Sequence, residues 1–212
     1  MDINIRILEH LASKICHDLV SPVGAINNGV ELIEDVGGDV TEEAMKLIGD
    51  SAEQAARRLR LFRLAYGRAG GETAMTFKDA RETIEAFLSG GKVKLSFAPD
   101  FPSPGLTDAP GALKIMLNMI LLADEALVYG GIVTVGNALG DFSGGATVTA
   151  TGRGAVLTES ASAAFTGTAT AETITPRTVQ AYVAGKFASC YGFRTAIEAT
   201  QSDAVSLHFA PA

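Results

Sequence analysis

Ile15-Cys16-His17-Asp18-Leu19-Val20-Ser21-Pro22-Val23-Gly24-Ala25-Ile26 decides how the first third of this chain folds. Apolar positions run through it in steps of three and four: Leu8, Leu11, Ile15, Leu19, Pro22, Ile26, Val30 and Ile33. That spacing is one stripe of a long amphipathic helix, which should stop near Val36, before Gly37-Gly38. His17 stands two residues from both Ile15 and Leu19, about 200° round the helix from each, so it faces water opposite the stripe. His10 shares that face two turns earlier. Ser21 and Gly24 also share it and are small enough to let another surface come close. Asp18 is adjacent to His17, and a neighbouring carboxylate can orient or deprotonate an imidazole. Pro22 removes a backbone hydrogen bond at a cost of about 3 kcal/mol in a helix interior. Either a functional constraint keeps a kink there, or Pro22 ends one helix and starts another.

A second stripe follows. Asp39 is placed to cap it, with Glu42 three residues on, and its apolar positions are Ile48, Ala52, Ala55, Leu59, Phe62 and Tyr66. It should end at Gly67 or by Gly70-Gly71. A turn centred on Gly37-Gly38 makes an antiparallel hairpin in which facing residue numbers sum to about 75. His17 then lies opposite residue 58, where the chain carries Arg57, Arg58, Arg60 and Arg63. These are either solvated surface charges or a basic patch suited to an acidic partner or a phosphoryl group. Two helices alone leave half of each stripe wet. A dimer would bury it as a four-helix bundle; the alternative is that the hairpin packs on the rest of its own chain.

The chain divides near Gly70-Gly71 into residues 1–70 and 73–212. Beyond the division the pattern mixes periods. Met75–Phe77 reads as a short strand, Lys78–Leu88 as a helix and Lys92–Phe97 as a strand. Residues 100–110 are a proline-rich loop, and Gly111–Tyr129 is a mostly apolar helix that should be well buried. Ile132–Gly136 and Ala146–Thr151 read as a strand pair, Arg177–Tyr191 as a helix, and Arg194–Ala199 and Ala204–Phe209 as closing strands. The expected fold is α+β: a helical hairpin, then an α/β sandwich with helices on one face of a mostly antiparallel sheet.

Composition excludes several classes. Hydrophobic residues make up 47% and charged residues 19% of 212, enough to bury a core. A net charge of −7 argues against a general nucleic-acid binder. Cys16 and Cys190 fit no disulfide framework and no zinc spacing, which favours a reducing cytoplasm. The longest apolar run, Ile115–Ala123, is broken by Asn118 and falls far short of the ~20 residues of a membrane span. The start, with Asp2, Arg6 and Glu9, lacks a signal-peptide core.

The box around His17 resembles the phosphoacceptor box of two-component sensor kinases: a histidine, an acidic residue, a leucine, and a proline five after the histidine. Val20 and Ser21 stand where the kinases usually carry Arg and Thr or Asn. The run from His17 to Gly29 is closer to the ChpT-type histidine phosphotransferases of alphaproteobacteria, and this resemblance covers essentially the whole chain. The second half resembles a kinase ATP-binding domain that has lost its nucleotide residues. In Asn118-Met119-Ile120-Leu121-Leu122-Ala123, Leu122 replaces the magnesium-binding Asn. In Val148-Thr149-Ala150-Thr151-Gly152-Arg153-Gly154, Ala150 replaces the adenine-recognising Asp. The glycine-rich lid is missing; residues 179–188 hold one glycine, Gly185.

The resemblance implies a phosphorelay protein. His17 takes a phosphoryl group from the receiver aspartate of a hybrid kinase and passes it to CtrA-like or CpdR-like response regulators. It implies Asp18 as the orienting residue, a homodimer, and no cofactor on this chain, the magnesium being supplied by the receiver. Ser21, Gly24 and Asn28 on the first helix, with Arg57, Arg58 and Arg60 on the second, would form the docking face. Two other readings compete: an ATP-dependent sensor kinase, and a non-enzymatic dimeric adaptor.

Overall fold

The computed structural model describes residues 4–36, 41–67, 75–201 and 203–212. The first two helices are α1 (Ile5–Asp35) and α2 (Thr41–Ala65), packed as an antiparallel hairpin. Asn4 caps α1 through its side chain, accepting from the Ile7 amide. Pro22 sits inside α1 without ending it, and its ring is buried. The expected cap at Asp39 and the division at Gly70-Gly71 lie outside the described residues.

The register of the hairpin follows from Gly29. Its missing side chain leaves room for Ile48 and the Ala44 carbonyl, which a β-carbon would approach to 2.7 and 3.3 Å. Those pairs sum to 77 and 73, bracketing the expected 75. Within the chain the hairpin buries Ala44, Ser51, Ala55 and Phe62. Ile15, Leu19 and Ile26 are half-buried, while Leu8, Val23, Val30, Met45 and Leu59 are exposed.

α3 (Phe77–Leu88) follows. The expected strand at Met75–Phe77 does not form. Thr76 caps α3 in a reciprocal capping box with Asp79, and Phe77 opens the helix. Next come β1 (Val93–Phe97), α4 (Ala112–Glu125), β2 (Gly131–Asn137) and β3 (Ala146–Thr151). α5 (Glu159–Thr166), α6 (Val179–Cys190), β4 (Phe193–Gln201) and β5 (Ala204–Pro211) complete the chain. α4 is shorter than Gly111–Tyr129. Gly111 stands before it at φ 83°, and it closes at Glu125 because Ala126 serves as its C-cap.

The five strands form one sheet in the order β1-β2-β3-β5-β4. β1 and β2 are parallel, with α4 as their crossover; the other pairs are antiparallel. Register aligns the inward residues in rows: Val133, Ala150 and Val205, then Val135, Val148 and Leu207, all buried. The outward rows are polar, with Thr149 bonded to Ser206 and Thr147 to His208. α4 lies between the sheet and the hairpin, so every residue from Ala112 to Ala123 is buried. This explains why its sequence is apolar all round.

Candidate functional site

The His17 side chain is 88% exposed, on the face of α1 turned away from α2. Its Nδ1 lies 3.3 Å from Oδ1 of Asp18. Asp18 is only 24% exposed, since its side chain points back toward the junction between the hairpin and the α/β layer. If Nδ1 carries the proton it donates to Asp18, and the Nε2 lone pair then faces solvent. Among the described residues Nε2 has no hydrogen-bond partner. Ser21 and Asn28 are exposed and Gly24 half-exposed on the same face, and a β-carbon at Gly24 would meet nothing within 4 Å. These residues form a flat strip running from His17 toward the hairpin turn.

The arginines behave differently from one another. Arg57 donates to Ser89 Oγ at 2.6 Å, to the Ala86 carbonyl at 3.4 Å, and to Glu53 one turn earlier. The Arg58 guanidinium lies 5.8 Å from the Phe87 ring centroid. Both therefore lean on the end of α3, where they line a cleft of about 860 Å³ with Lys92 and Asp124. Arg60 is exposed and makes no hydrogen bond or ion pair among the described residues.

What holds the α/β layer beside this strip is a set of long-range contacts with no local sequence pattern. Lys14, one turn before His17, pairs with Glu125 at the end of α4 at 2.6 Å. Burial pushes the Glu125 carboxyl above its usual range, and Lys14 pulls it back. Asp124 is raised in the same way, opposed by Lys14 and Arg58. Burial also raises the Tyr66 hydroxyl, with the Glu125 and Asp18 charges adding. Tyr66 donates to Gln180 Oε1 at 2.5 Å. Gln180 Nε2 donates to Asn118 Oδ1 at 3.1 Å, and Asn118 Nδ2 donates to the Ala65 carbonyl at 2.9 Å. The Lys114 ammonium donates to the Gly67 carbonyl and sits 4.8 Å from the Phe187 ring centroid. The Ala65 and Gly67 carbonyls belong to the last turn of α2 and to the turn that follows, so side chains of α4 satisfy groups at the end of α2 that have no intrahelical partner.

The positions compared with a nucleotide site are packed. Leu122 is buried on α4 and Ala150 on the inner face of β3. Gly185 lies where α6 crosses α5, its α-carbon against the Phe165 carbonyl, so this glycine serves packing. Among the described residues no group of His, Cys, Asp and Glu is arranged to hold a metal ion, and Cys16 and Cys190 are free and exposed.

Residues 77–203 match the family described as the histidine phosphotransferase C-terminal domain. The chain is 34% identical over 198 residues to protein phosphotransferase ChpT of Brucella abortus, covering 92% of this chain and 91% of that protein. It is also similar to a solved bacterial phosphotransferase, at 28% identity and a TM-score of 0.76, over 99% of this chain and 98% of the other.

Proposed function

Because the chain belongs to the ChpT-like histidine phosphotransferase family, we propose that it relays a phosphoryl group through His17 between receiver domains. The observation that carries this reading is the aim of His17: an exposed imidazole, Nδ1 held by Asp18, Nε2 open to solvent. Nε2 attacks the phosphorus of a receiver phosphoaspartate. An N–P bond forms, the acyl phosphate P–O bond breaks, and the aspartate leaves as carboxylate. Asp18 keeps the proton on Nδ1 and offsets the positive charge that develops on the ring. In the second transfer an acceptor aspartate oxygen attacks the phosphohistidine and the imidazole leaves with its electron pair. Both steps need alignment more than a pocket. Magnesium belongs to the receiver, whose acidic site can hold it.

The donor in this reading is the receiver of a hybrid kinase, and the acceptors are CtrA-like and CpdR-like regulators in the cytoplasm. The docking face is Ser21, Gly24 and Asn28 with the arginines of α2. The exposed Leu8, Val23, Val30, Met45 and Leu59 support a dimer joined through the hairpin, since they leave an apolar face on both helices. The buried Leu122 and Ala150 support a chain that takes no ATP, since neither side chain can ligate magnesium or hydrogen-bond adenine. Among the described residues no helix is long and apolar enough to cross a membrane.

The test uses labelled ATP. The chain alone should take no label. With a hybrid kinase it should take an acid-labile label that His17→Ala abolishes while the fold is kept. Label from ATP alone would make it a kinase, and no label in either arm would make it an adaptor.

A further inference from the structure

We infer that Asn118, Gln180 and Tyr66 are positioning residues for the transfer: their buried hydrogen-bond chain sets the angle at which the α/β layer stands beside His17, and so the fit of the receiver. This rests on the relay reading above.

The first ground is that the chain is complete and, at its two amides, dry. Asn118 is fully buried and Gln180 is 1% exposed. Both Asn118 amide hydrogens are used, on the Ala65 and Lys114 carbonyls. Its Oδ1 accepts from Gln180, whose Oε1 in turn accepts from Tyr66. Directional bonds in a dry environment fix one geometry where apolar packing would tolerate several. The chain joins α2, α4 and α6, and so joins the hairpin to the α/β layer.

The second ground is area. The strip from His17 to Asn28 is about 16 Å long and one helix wide, roughly 160 Å². A specific interface needs about 800 Å² on each partner. A receiver seated on His17 must therefore also rest on neighbouring surfaces. Besides the arginines of α2, the end of α4 borders this strip, since Glu125 pairs with Lys14 one turn before His17. Val128 and Tyr129, just beyond it, are exposed.

The third ground is leverage. Glu125 closes α4 seven residues past Asn118, about 10 Å at the helical rise, so a tilt of about 6° at the joint shifts that end by about 1 Å. A displacement of that size is enough to slow a transfer that depends on in-line alignment.

The experiment compares full-length wild type with Asn118→Leu, and uses Tyr66→Phe as the milder variant should the first fail to fold. Three quantities are read. Phosphoramidate, a small donor that needs no docking surface, reports the intrinsic reactivity of His17. Transfer from a phosphorylated receiver gives KM and the maximal rate separately. Hydrogen exchange at residues 65–67 reports whether the joint has loosened. The inference expects faster exchange at the joint, phosphoramidate labelling within twofold of wild type, and a KM for the receiver raised tenfold or more (threefold for Tyr66→Phe). Faster exchange with an unchanged KM overturns it, as does unchanged exchange. A wild-type protein that phosphoramidate cannot label on His17 overturns the relay reading itself, a distinct result.

Discussion

Gly29 and Ile48 meet across the hairpin of α1 and α2, and a β-carbon on Gly29 would stand 2.7 Å from Ile48 Cγ1. Glycine here is a steric requirement of the hairpin, since the Ala44 carbonyl closes the other side. Gly29→Val should destabilise the protein by about 1–3 kcal/mol through overpacking. Gly24→Ala, with open space at its β-carbon, should stabilise it by up to about 1 kcal/mol. Urea unfolding of both variants checks the contrast. A larger residue at Gly24 should instead block transfer from a receiver by clash, without loss of stability.

Arg60 and Arg57 should separate under charge reversal. Arg60→Glu should slow receiver transfer at low salt and reduce its salt sensitivity, because this exposed cation acts through steering. Arg57→Glu should also lower stability, since it discards the bond to Ser89 at the end of α3 and the pair with Glu53 one turn earlier on α2. Stopped-flow transfer rates at two ionic strengths, beside thermal melts, distinguish these effects. An Arg60 variant with wild-type rates at both salts removes that residue from the docking face.

Magnesium-ATP at millimolar concentration should leave the melting temperature unchanged. A ligand at 100 times its dissociation constant would add about 2.7 kcal/mol, an effect easily seen. A clear upward shift would restore a nucleotide role to the α/β layer despite the buried Leu122 and Ala150.

His208 should make the protein weaker in mild acid. Burial lowers its pKa, with Glu198 opposing, so the folded state favours the neutral ring. A histidine lowered on folding contributes stability that is fully present above the unfolded value near 6.5 and is lost as pH falls through it toward the folded value. His208→Gln keeps a polar side chain beside Thr147 and should flatten the decline in melting temperature between pH 7.5 and 5.5. An equally steep decline in the variant would exclude this histidine as its source.

The local patterns of the sequence carried the hairpin and the core. The two stripes and the double glycine between them lead directly to α1, α2 and their register, because helix periodicity and turn chemistry are written within a few residues. The long apolar run of α4, interrupted by Asn118, pointed to a helix covered on all sides. Met75–Phe77 misled because two apolar residues flanking a threonine look like an alternating strand. The capping pair Thr76 and Asp79, three apart, was the stronger signal. At the site, the exposure of His17 was legible from its phase relative to Ile15 and Leu19. The orientation of Arg57 and Arg58 was not, because it depends on Phe87 and Ser89 some thirty residues later. The Lys14–Glu125 pair and the Gln180–Asn118 bond join residues 111 and 62 positions apart and leave no local trace.

The end of α2 depends on another part of the chain. Its last carbonyls are satisfied by Asn118 and Lys114, which become available only once α4 has docked. The hairpin thus cannot complete its own helix, and α4 cannot bury its polar side chains without the hairpin. Heating should melt the two layers in one calorimetric transition, and a truncated hairpin should fray from its C-terminal end. If a single transition is seen, neither layer is an independent module to exchange with other chains. New partners must then come from changes on the surface of the whole.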